Sequence, residues 1–449
     1  MPPATTQPPR SPENGLVPAM RQRVRDIFDR ALAECSIAIA FARTVRYSGG
    51  LFCAGANRYD LAAFSLVVVI SIGKAGHSMV EALSGIVPCE IRGIVACPDE
   101  PLSPVAGFRY FYGGHPLPNE ESLRAGSAIL DLLHALPERS LVVFLISGGA
   151  SAIAETPILP DLTLSDVIET NRTLVHSGAP IAEINAIRKH LSAIKGGRMA
   201  QAAAPATQVS LLVSDVPDHS LDALASGPTM ADSSTVADCY ATAARHQMLP
   251  RFTQPVRSLF ENRQLLETPK TGDPVFANSR YVTALSNDTA VDAAVESATA
   301  MGFVVEVDNS CDDWDYARAA DYLLQRLRTL RKTSSRVCVI SGGEVTVTVG
   351  DLSGKGGRNQ QFALYCAEKI VGETITVLSA GTDGIDGNSP AAGALVDGTT
   401  ISRAAQRNLS AEAALSHFDA YPLLDAVGDA VVIGPTGNNV RDLRILLAY

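Results

Sequence analysis

The sequence lacks the apolar stretches that would carry it across a bilayer. Runs such as Leu66–Ile70 are strand-sized, whereas a membrane helix needs about 20 apolar residues. Positive charge is also in short supply. Thirty-seven Lys and Arg against 47 Asp and Glu give a net charge of -10, which argues against a general nucleic-acid or anionic-membrane surface. None of the eight cysteines, at 35, 53, 89, 97, 239, 311, 338 and 366, forms a Cys-x-x-Cys or pairs with His at zinc spacing. A zinc module is excluded, and a reduced, cytoplasmic setting is expected. Also missing are Gly-x-Gly-x-x-Gly, Gly-x-Ser-x-Gly and His-Glu-x-x-His, so a nicotinamide Rossmann site, a serine-hydrolase elbow and a zinc-protease helix are not indicated. Residues 1–18 carry six prolines without the charged start and apolar middle of a signal peptide, and read as a disordered tail.

What is present is an ordinary globular composition, 46% hydrophobic and 19% charged over 449 residues, enough for two or three domains. Val/Ile/Leu runs at Leu66–Ile72, Ile91–Ala96, Leu141–Ser147, Val209–Ser214, Val304–Val307, Val337–Ser341, Thr374–Ser379 and Ala430–Ile433 predict strands. Their lack of clean alternation suggests parallel strands covered on both faces. Helical patterns at Ser122–Ala135, Asp288–Ala300, Trp314–Arg331 and Asn359–Ile370 lie between them. The fold class is therefore α/β, with two lobes, each a mostly parallel sheet flanked by helices, and a cleft between them. The boundaries expected are 19–266 for the first lobe, 267–278 for a polar linker and 279–449 for the second lobe.

Several strands run into a polar, glycine-bearing turn: Ile70-Ser-Ile-Gly-Lys74, Leu145-Ile-Ser-Gly-Gly149, Val339-Ile-Ser-Gly-Gly343 and Leu378-Ser-Ala-Gly-Thr382. Ligands of open α/β sheets bind beyond such strand ends. Lys74, between two glycines, suits an anion there, or is a solvated loop lysine. Ser147, Gly148, Gly149 and Ser151 in one lobe, and Ser341, Gly342 and Gly343 in the other, read as anion ligands.

Residues 350–364, Gly-Asp-Leu-Ser-Gly-Lys-Gly-Gly-Arg-Asn-Gln-Gln-Phe-Ala-Leu, fail as a Walker loop. Only three residues separate Gly350 from Gly354-Lys355, and Gly356 stands where Ser or Thr is required. Four glycines and two cations ahead of a helix nonetheless suit a phosphate, the alternative being a plain glycine-rich surface turn. Arg188, His190, Ser192 and Lys195 form a further polar cluster; Arg188, Ser192 and Lys195 share a face if helical, or the run is a solvated helix. Asp215, Glu344, Asp383 and Asp386 follow strands, where a carboxylate can hold magnesium or accept a proton. Asp383 and Asp386 equally suit Asx turns.

Read in order, these motifs resemble the class II glycerate 2-kinases, in which a glycerate-kinase domain precedes a MOFRL domain. The resemblance rests on Ile72-Gly-Lys-Ala-Gly76, Gly113-Gly-His-Pro116, Ile146-Ser-Gly-Gly-Ala-Ser151, Arg188-Lys-His-Leu-Ser192, Lys195-Gly-Gly-Arg198, Val213-Ser-Asp-Val216 and Ala225-Ser-Gly-Pro-Thr229. It continues in Ser341-Gly-Gly-Glu344, Gly354-Lys-Gly-Gly-Arg-Asn-Gln-Gln361, Gly381-Thr-Asp-Gly-Ile-Asp-Gly387 and Gly434-Pro-Thr-Gly437. Pro217-Asp-His219, Asn388-Ser-Pro390 and Asn119 depart from the commoner pattern.

The resemblance implies phosphorylation of D-glycerate to 2-phosphoglycerate with ATP and Mg2+, in a site between the lobes. It implies that Lys74 and Arg358 are the essential cations. With it, Arg188, His190 or Lys195 are candidate substrate-binding residues, Asp215 the candidate base, Glu344 and Asn359 phosphate-side residues, and Asp383 and Asp386 the candidate magnesium ligands. The partner expected is a small molecule, glycerate or a related hydroxy acid, and not a nucleic acid or membrane. Two other readings stay open: a hydroxypyruvate reductase using NAD(P)H, and a non-catalytic binder of a phosphorylated metabolite.

Overall fold

The apolar runs form the centres of two six-stranded sheets in a computed structural model, which describes residues 13–88, 90–349 and 354–449. The chain divides into two compact units. One is Ser36–Ser286; the other joins the helix Glu13–Glu34 to residues 287–449. Among the described residues, no helix is long and apolar enough to cross a membrane.

The unit 36–286 opens with a small antiparallel meander, β1 (Val45–Ser48), β2 (Leu51–Ala54) and β3 (Asn57–Asp60). Its main sheet comprises β4 (Leu66–Ile72), β5 (Arg92–Cys97), β6 (Phe108–Tyr112), β7 (Ser140–Ser147), β8 (Thr207–Val213) and β9 (Ser279–Leu285). All are parallel, in the order β6-β5-β4-β7-β8-β9. Val68, Ile70 and Ile72 join Phe144 and Ile146 in a core with Ala125, Ile129 and Leu133 of the helix Glu120–His134. Val67, Val69 and Val143 face the other way, toward Leu83 of the helix Gly76–Ile86. Burial on both faces removes the alternation of a one-sided strand.

The second unit holds β10 (Val304–Val307), β11 (Val337–Gly343), β12 (Ile375–Gly381), β13 (Gly393–Asp397), β14 (Ala430–Val431) and β15 (Asp442–Ala448). The expectation of a mostly parallel second sheet is corrected here. Only β10 and β11 pair in parallel; β15 lies between β11 and β12 and is antiparallel to both, and β13 and β14 continue antiparallel. Val337 and Val339 pack on one face with Phe362, while Cys338 and Ile340 pack on the other with Phe28 and Val291. Unbroken apolar runs report two covered faces, not strand direction.

The expected boundaries are also corrected. Residues 13–18, assigned to a disordered tail, begin a helix whose Met20, Val24, Ile27 and Phe28 are fully buried against the second unit's core. Arg21 fastens it further, donating to Asp397 at 2.6 Å and Asp429 at 2.8 Å. Residues 1–12 lie outside the described residues. The stretch 267–278 is no linker: Thr268 is buried and donates to Asp232 at 2.8 Å, and β9 completes the first sheet. The unit boundary therefore falls at Ser286, after β9 rather than before it.

Candidate active site

In the parallel sheet, the chain leaves β4 toward β5 and β6 on one side, whereas β7 leads to β8 and β9 on the other. Ligand sites of open α/β sheets form at such a switch point, beyond the strand ends. The two turns there are locked together. The Lys74 N–H donates to Gly148 O at 2.9 Å, and the Ala75 N–H to Ser147 Oγ at 3.1 Å. Gly73 has φ of +127°, and a Cβ there would stand 2.2 Å from Ser147 Oγ. A Cβ on Gly148 would be 2.1 Å from Asp215 Oδ2, so the carboxylate that follows β8 presses against this glycine. On Gly149 a Cβ would meet His115 Cδ2 at 3.0 Å and Lys74 Cγ at 3.1 Å. Lys74 is exposed. Ser147 is buried and braces the neighbouring turn, which departs from its expected part as an anion ligand.

Beside these turns lies a cavity of about 280 Å³, lined by Gly149, Ser151 and His115 at one side and by Arg188, Lys195 and Glu155. The Ser151 and Ser226 hydroxyls are 3.1 Å apart. Arg188 sits in the last turn of the helix Ile181–His190, and its Nε donates to Asn171 Oδ1 at 2.8 Å. Burial holds its pKa below the usual arginine value, against the opposing pull of Glu155. The helix ends at His190, so the expected helical face of Arg188, Ser192 and Lys195 does not form. Glu155 gathers the last two instead, accepting from Ser192 Oγ at 2.6 Å, from the Thr156 N–H at 2.8 Å and from Lys195 Nζ. Burial holds the Lys195 pKa below its ordinary value, against the opposing pull of the Glu155 carboxylate. Lys195 is thus neutralised by a buried partner, and Arg188 is the better carboxylate ligand of the two. His190 departs from its expected place: fully buried, it sits with Nδ1 2.8 Å from Ala186 O and Nε2 2.9 Å from Glu267 Oε1, and does not line the cavity.

In the second unit, the ends of β11 and β12 and the start of β15 meet at one sheet edge, with Gly343 and Gly381 both opposite Asp442. Arg358, at the start of the helix Arg358–Lys369, donates through Nε and Nη2 to Asp442 at 2.6 and 3.1 Å and contacts Glu344 Oε1 at 2.7 Å. Burial disfavours the guanidinium charge, but Asp442 and Glu344 more than offset it and raise the Arg358 pKa. Burial and then the Asp442 charge raise that of Glu344. Arg358, Glu344 and Asp383 line a polar groove of about 560 Å³.

Other expected anion donors are already occupied. The Gly342 N–H donates to Asn309 Oδ1 at 2.8 Å, Gly343 to Asn287 Oδ1 at 2.9 Å and Glu344 to Asp312 Oδ1 at 2.9 Å. Buried Ser341 lies beside Arg444, whose Nη2 donates to Gly342 O at 2.5 Å. In the glycine-rich loop, Gly350–Ser353 lie outside the described residues. Beyond them the Lys355 N–H donates to Asp419 Oδ1 at 2.7 Å and Gly356 to Asn388 Oδ1 at 2.8 Å. A Cβ on Gly357 would be 2.3 Å from Asp386 Oδ1. These glycines admit the protein's own carboxylates, and the neighbouring cation, Arg358, is itself paired with Asp442 and Glu344.

Asp386 does not fit its expected place as a magnesium ligand. Both its oxygens cap the helix Arg358–Lys369, accepting from the Asn359 N–H at 3.1 Å, the Gln360 N–H at 2.9 Å and Gln360 Nε2 at 2.9 Å. Burial raises its pKa to about 6. Asn359 is buried too, its Oδ1 accepting from Ser379 Oγ at 2.6 Å, so it faces the core rather than a phosphate. Asp383 accepts from the Ile385 N–H at 3.1 Å in an Asx turn. Among the described residues, no group of three His, Cys, Asp or Glu is placed to hold a metal. With both Asp386 oxygens committed to the helix cap, Asp383 and Asp386 do not form a ready pair of magnesium ligands.

Sequence reasoning missed Glu155, Asn171, His115 and Asp442 as site residues. Glu155 and Asp442 carried a faint signal, each a lone carboxylate at the border of an apolar run. Asn171 and Thr170 carried none; the Thr170 hydroxyl lines the cavity, buried and without a hydrogen-bond partner among the described residues.

Residues 23–261 match a domain described as a domain of unknown function, DUF4147, and residues 337–442 match the MOFRL family. The chain is 36% identical to an Agrobacterium vitis protein with a provisional hydroxypyruvate reductase name, over 95% of this chain and 94% of that one. It is 34% identical to the D-glycerate 2-kinase of Thermotoga maritima, over 84% and 90%. The crystal structure of a Thermotoga maritima glycerate kinase superposes with a TM-score of 0.84 at 30% identity, covering 96% of this chain and all of that one (100%).

Proposed function

The chain belongs to the family that joins a DUF4147 domain to a MOFRL domain, the class II glycerate kinases, and on that premise we propose that it transfers the γ-phosphoryl group of ATP to the 2-hydroxyl of D-glycerate. The product in this reading is 2-phosphoglycerate, with magnesium accompanying the nucleotide. The observation that carries it is the cavity beside the switch point, which sets the Arg188 guanidinium in the same enclosure as Gly149, against which Lys74 packs.

A planar guanidinium matches a carboxylate with two parallel hydrogen bonds, and Asn171 fixes its orientation through Nε. Arg188 is thereby assigned the glycerate carboxylate. Phosphoryl transfer depends on positioning and on cations facing the charge of the transferring group. Lys74 supplies such a charge where the acceptor hydroxyl would lie. In the other unit, Arg358 is assigned to phosphate oxygens, with Asp442 and Glu344 holding its plane. Asp215 packs against Gly148 and is assigned to shaping the turn.

The test is incubation with ATP, magnesium and D-glycerate, with the product identified by 31P and 1H NMR. Formation of 2-phosphoglycerate is expected. Formation of 3-phosphoglycerate would refute the choice of hydroxyl, and no phosphoglycerate would refute the kinase reading. Offering hydroxypyruvate with NADH or NADPH tests the activity named for the Agrobacterium vitis relative.

A further inference from the structure

His115 belongs to a motif, Gly113-Gly-His-Pro116, to which the roles above give no task. The segment after β6 is rigidly held. The Gly113 N–H donates to Cys97 O at 3.1 Å, and the Gly114 N–H to Ser122 Oγ at 3.0 Å. A Cβ on Gly113 would stand 1.9 Å from Ile153 O, and one on Gly114 2.3 Å from Leu117 O. Two glycines thus let backbone approach backbone and deliver the next side chain to a fixed place.

That place is the cavity wall next to the turn bearing Lys74. The point where a Gly149 Cβ would sit lies 3.0 Å from His115 Cδ2, 3.3 Å from His115 Nε2 and 3.1 Å from Lys74 Cγ. His115 therefore shares the cavity with Arg188 and borders the lysine assigned to the phosphoryl group. Asp215, the carboxylate first expected to take a proton, packs against Gly148 in the β7 turn and does not line the cavity. The charged groups around the imidazole are Lys74 at the turn, Asp215 behind Gly148, and Glu155, Asp166, Arg188 and Lys195 in the cavity wall. Glu155 neutralises Lys195, and Thr163 holds Asp166 in a helix cap. Among the described residues, no side chain is hydrogen-bonded to the His115 ring.

We propose that His115 is the general base, taking the proton of the acceptor hydroxyl as that oxygen attacks the γ-phosphorus. The inference rests on the kinase reading and on the acceptor occupying this cavity. In the step, the bond from the acceptor oxygen to phosphorus forms. The bond from phosphorus to the oxygen bridging the β- and γ-phosphates breaks, ADP leaves, and the proton passes to the imidazole and, after product release, to water. Burial, and then the Lys74 charge, hold the His115 pKa below its ordinary 6.5, so the ring is neutral and able to accept at neutral pH.

The experiment compares wild type, His115→Gln and His115→Asn in steady-state turnover with ATP, magnesium and D-glycerate across pH 5–9, beside calorimetric binding of D-glycerate without nucleotide. A positioned base contributes on the order of 10²-fold or more. Both variants are expected to lose about that factor in kcat, to bind D-glycerate within about threefold of wild type, and to lose the wild-type fall in rate at acidic pH. Circular dichroism melting confirms that at least one variant is folded. In wild type, the NMR titration of the His115 ring is expected below that of a free histidine and to move when D-glycerate is added. A folded variant keeping more than a tenth of wild-type kcat with the acidic fall unchanged would overturn the assignment while leaving the kinase reading intact. Absence of phosphoglycerate from wild type would overturn both.

Discussion

Asp442 grips Arg358 with both carboxylate oxygens, one on Nε at 2.6 Å and the other on Nη2 at 3.1 Å. Asp442 is buried at the start of the central antiparallel strand β15, whereas Arg358 is more than a third exposed in its side chain. A fixed carboxylate therefore aims an accessible guanidinium. Replacing Arg358 by Ala should lower kcat by on the order of 10³-fold or more, the scale of a phosphate-facing arginine. Arg358→Lys should recover little, because a point charge cannot reproduce the two-pronged contact with Asp442. Steady-state kinetics with a parallel melting curve check this; near-wild-type kcat in Arg358→Ala would remove the loop from catalysis.

Arg188 should act on binding more than on chemistry. Losing a charged group that meets a carboxylate in a half-buried cavity costs about 2–5 kcal/mol. Arg188→Ala is expected to raise KM for D-glycerate by roughly 30-fold or more, with a smaller change in kcat and little change in KM for ATP. Equal effects on both substrates would show that the side chain supports the unit's fold rather than the acceptor.

Gly73 is expected to tolerate no side chain. Its φ of +127° and the 2.2 and 2.6 Å approaches of Ser147 Oγ and O to a built Cβ combine strain with overlap. Each such effect costs about 1–3 kcal/mol. Gly73→Ala should therefore destabilise by at least about 2 kcal/mol and displace Lys74, lowering turnover as well. An unaltered melting curve with unaltered activity would mean that the two turns are not locked.

Asp386 gives a pH dependence of definite sign. Its carboxyl rises from an ordinary 3.8 to about 6 on folding, so the folded chain binds the proton more tightly. The stability this group contributes is fully present below pH 4 and is lost as pH rises through about 6. The stability of wild type relative to Asp386→Asn should decline over that window and level off above it. Denaturant unfolding at pH 4, 5, 6 and 7 measures the difference; a relative stability that rose with pH would overturn the direction.

Much of this arrangement was legible in the residues, and the failures have distinct physical causes. β4 and β10 were bounded to the residue because short, Val-rich runs have few other uses. Strand direction in the second unit was not legible, since β11 and β12 look alike whether their shared neighbour runs with or against them. β15 was missed because Asp442 and Arg444 interrupt its apolar run, yet both are buried. The helix Glu13–Glu34 was hidden by the prolines ahead of it and by partners that come late in the chain. At the site, glycine turns announced that something approaches the backbone closely. They could not say whether it was a ligand or the protein's own Asp215, Asp386 and Asp419.

The pairing of Glu13–Glu34 with residues beyond 287 bears on the order in which the protein is made. The parallel-sheet unit is one uninterrupted stretch and can fold once Ser286 has cleared the ribosome. The first helix emerges earlier, with Met20, Ile27 and Phe28 exposed to solvent. It must wait for Asn287–Ala300, some 250 residues later, which at about 5–20 residues per second is roughly 10–50 s. Through that interval its apolar face is open to whatever else is nearby, so a segment synthesised ahead of the parallel-sheet unit finds its place only after that unit is complete.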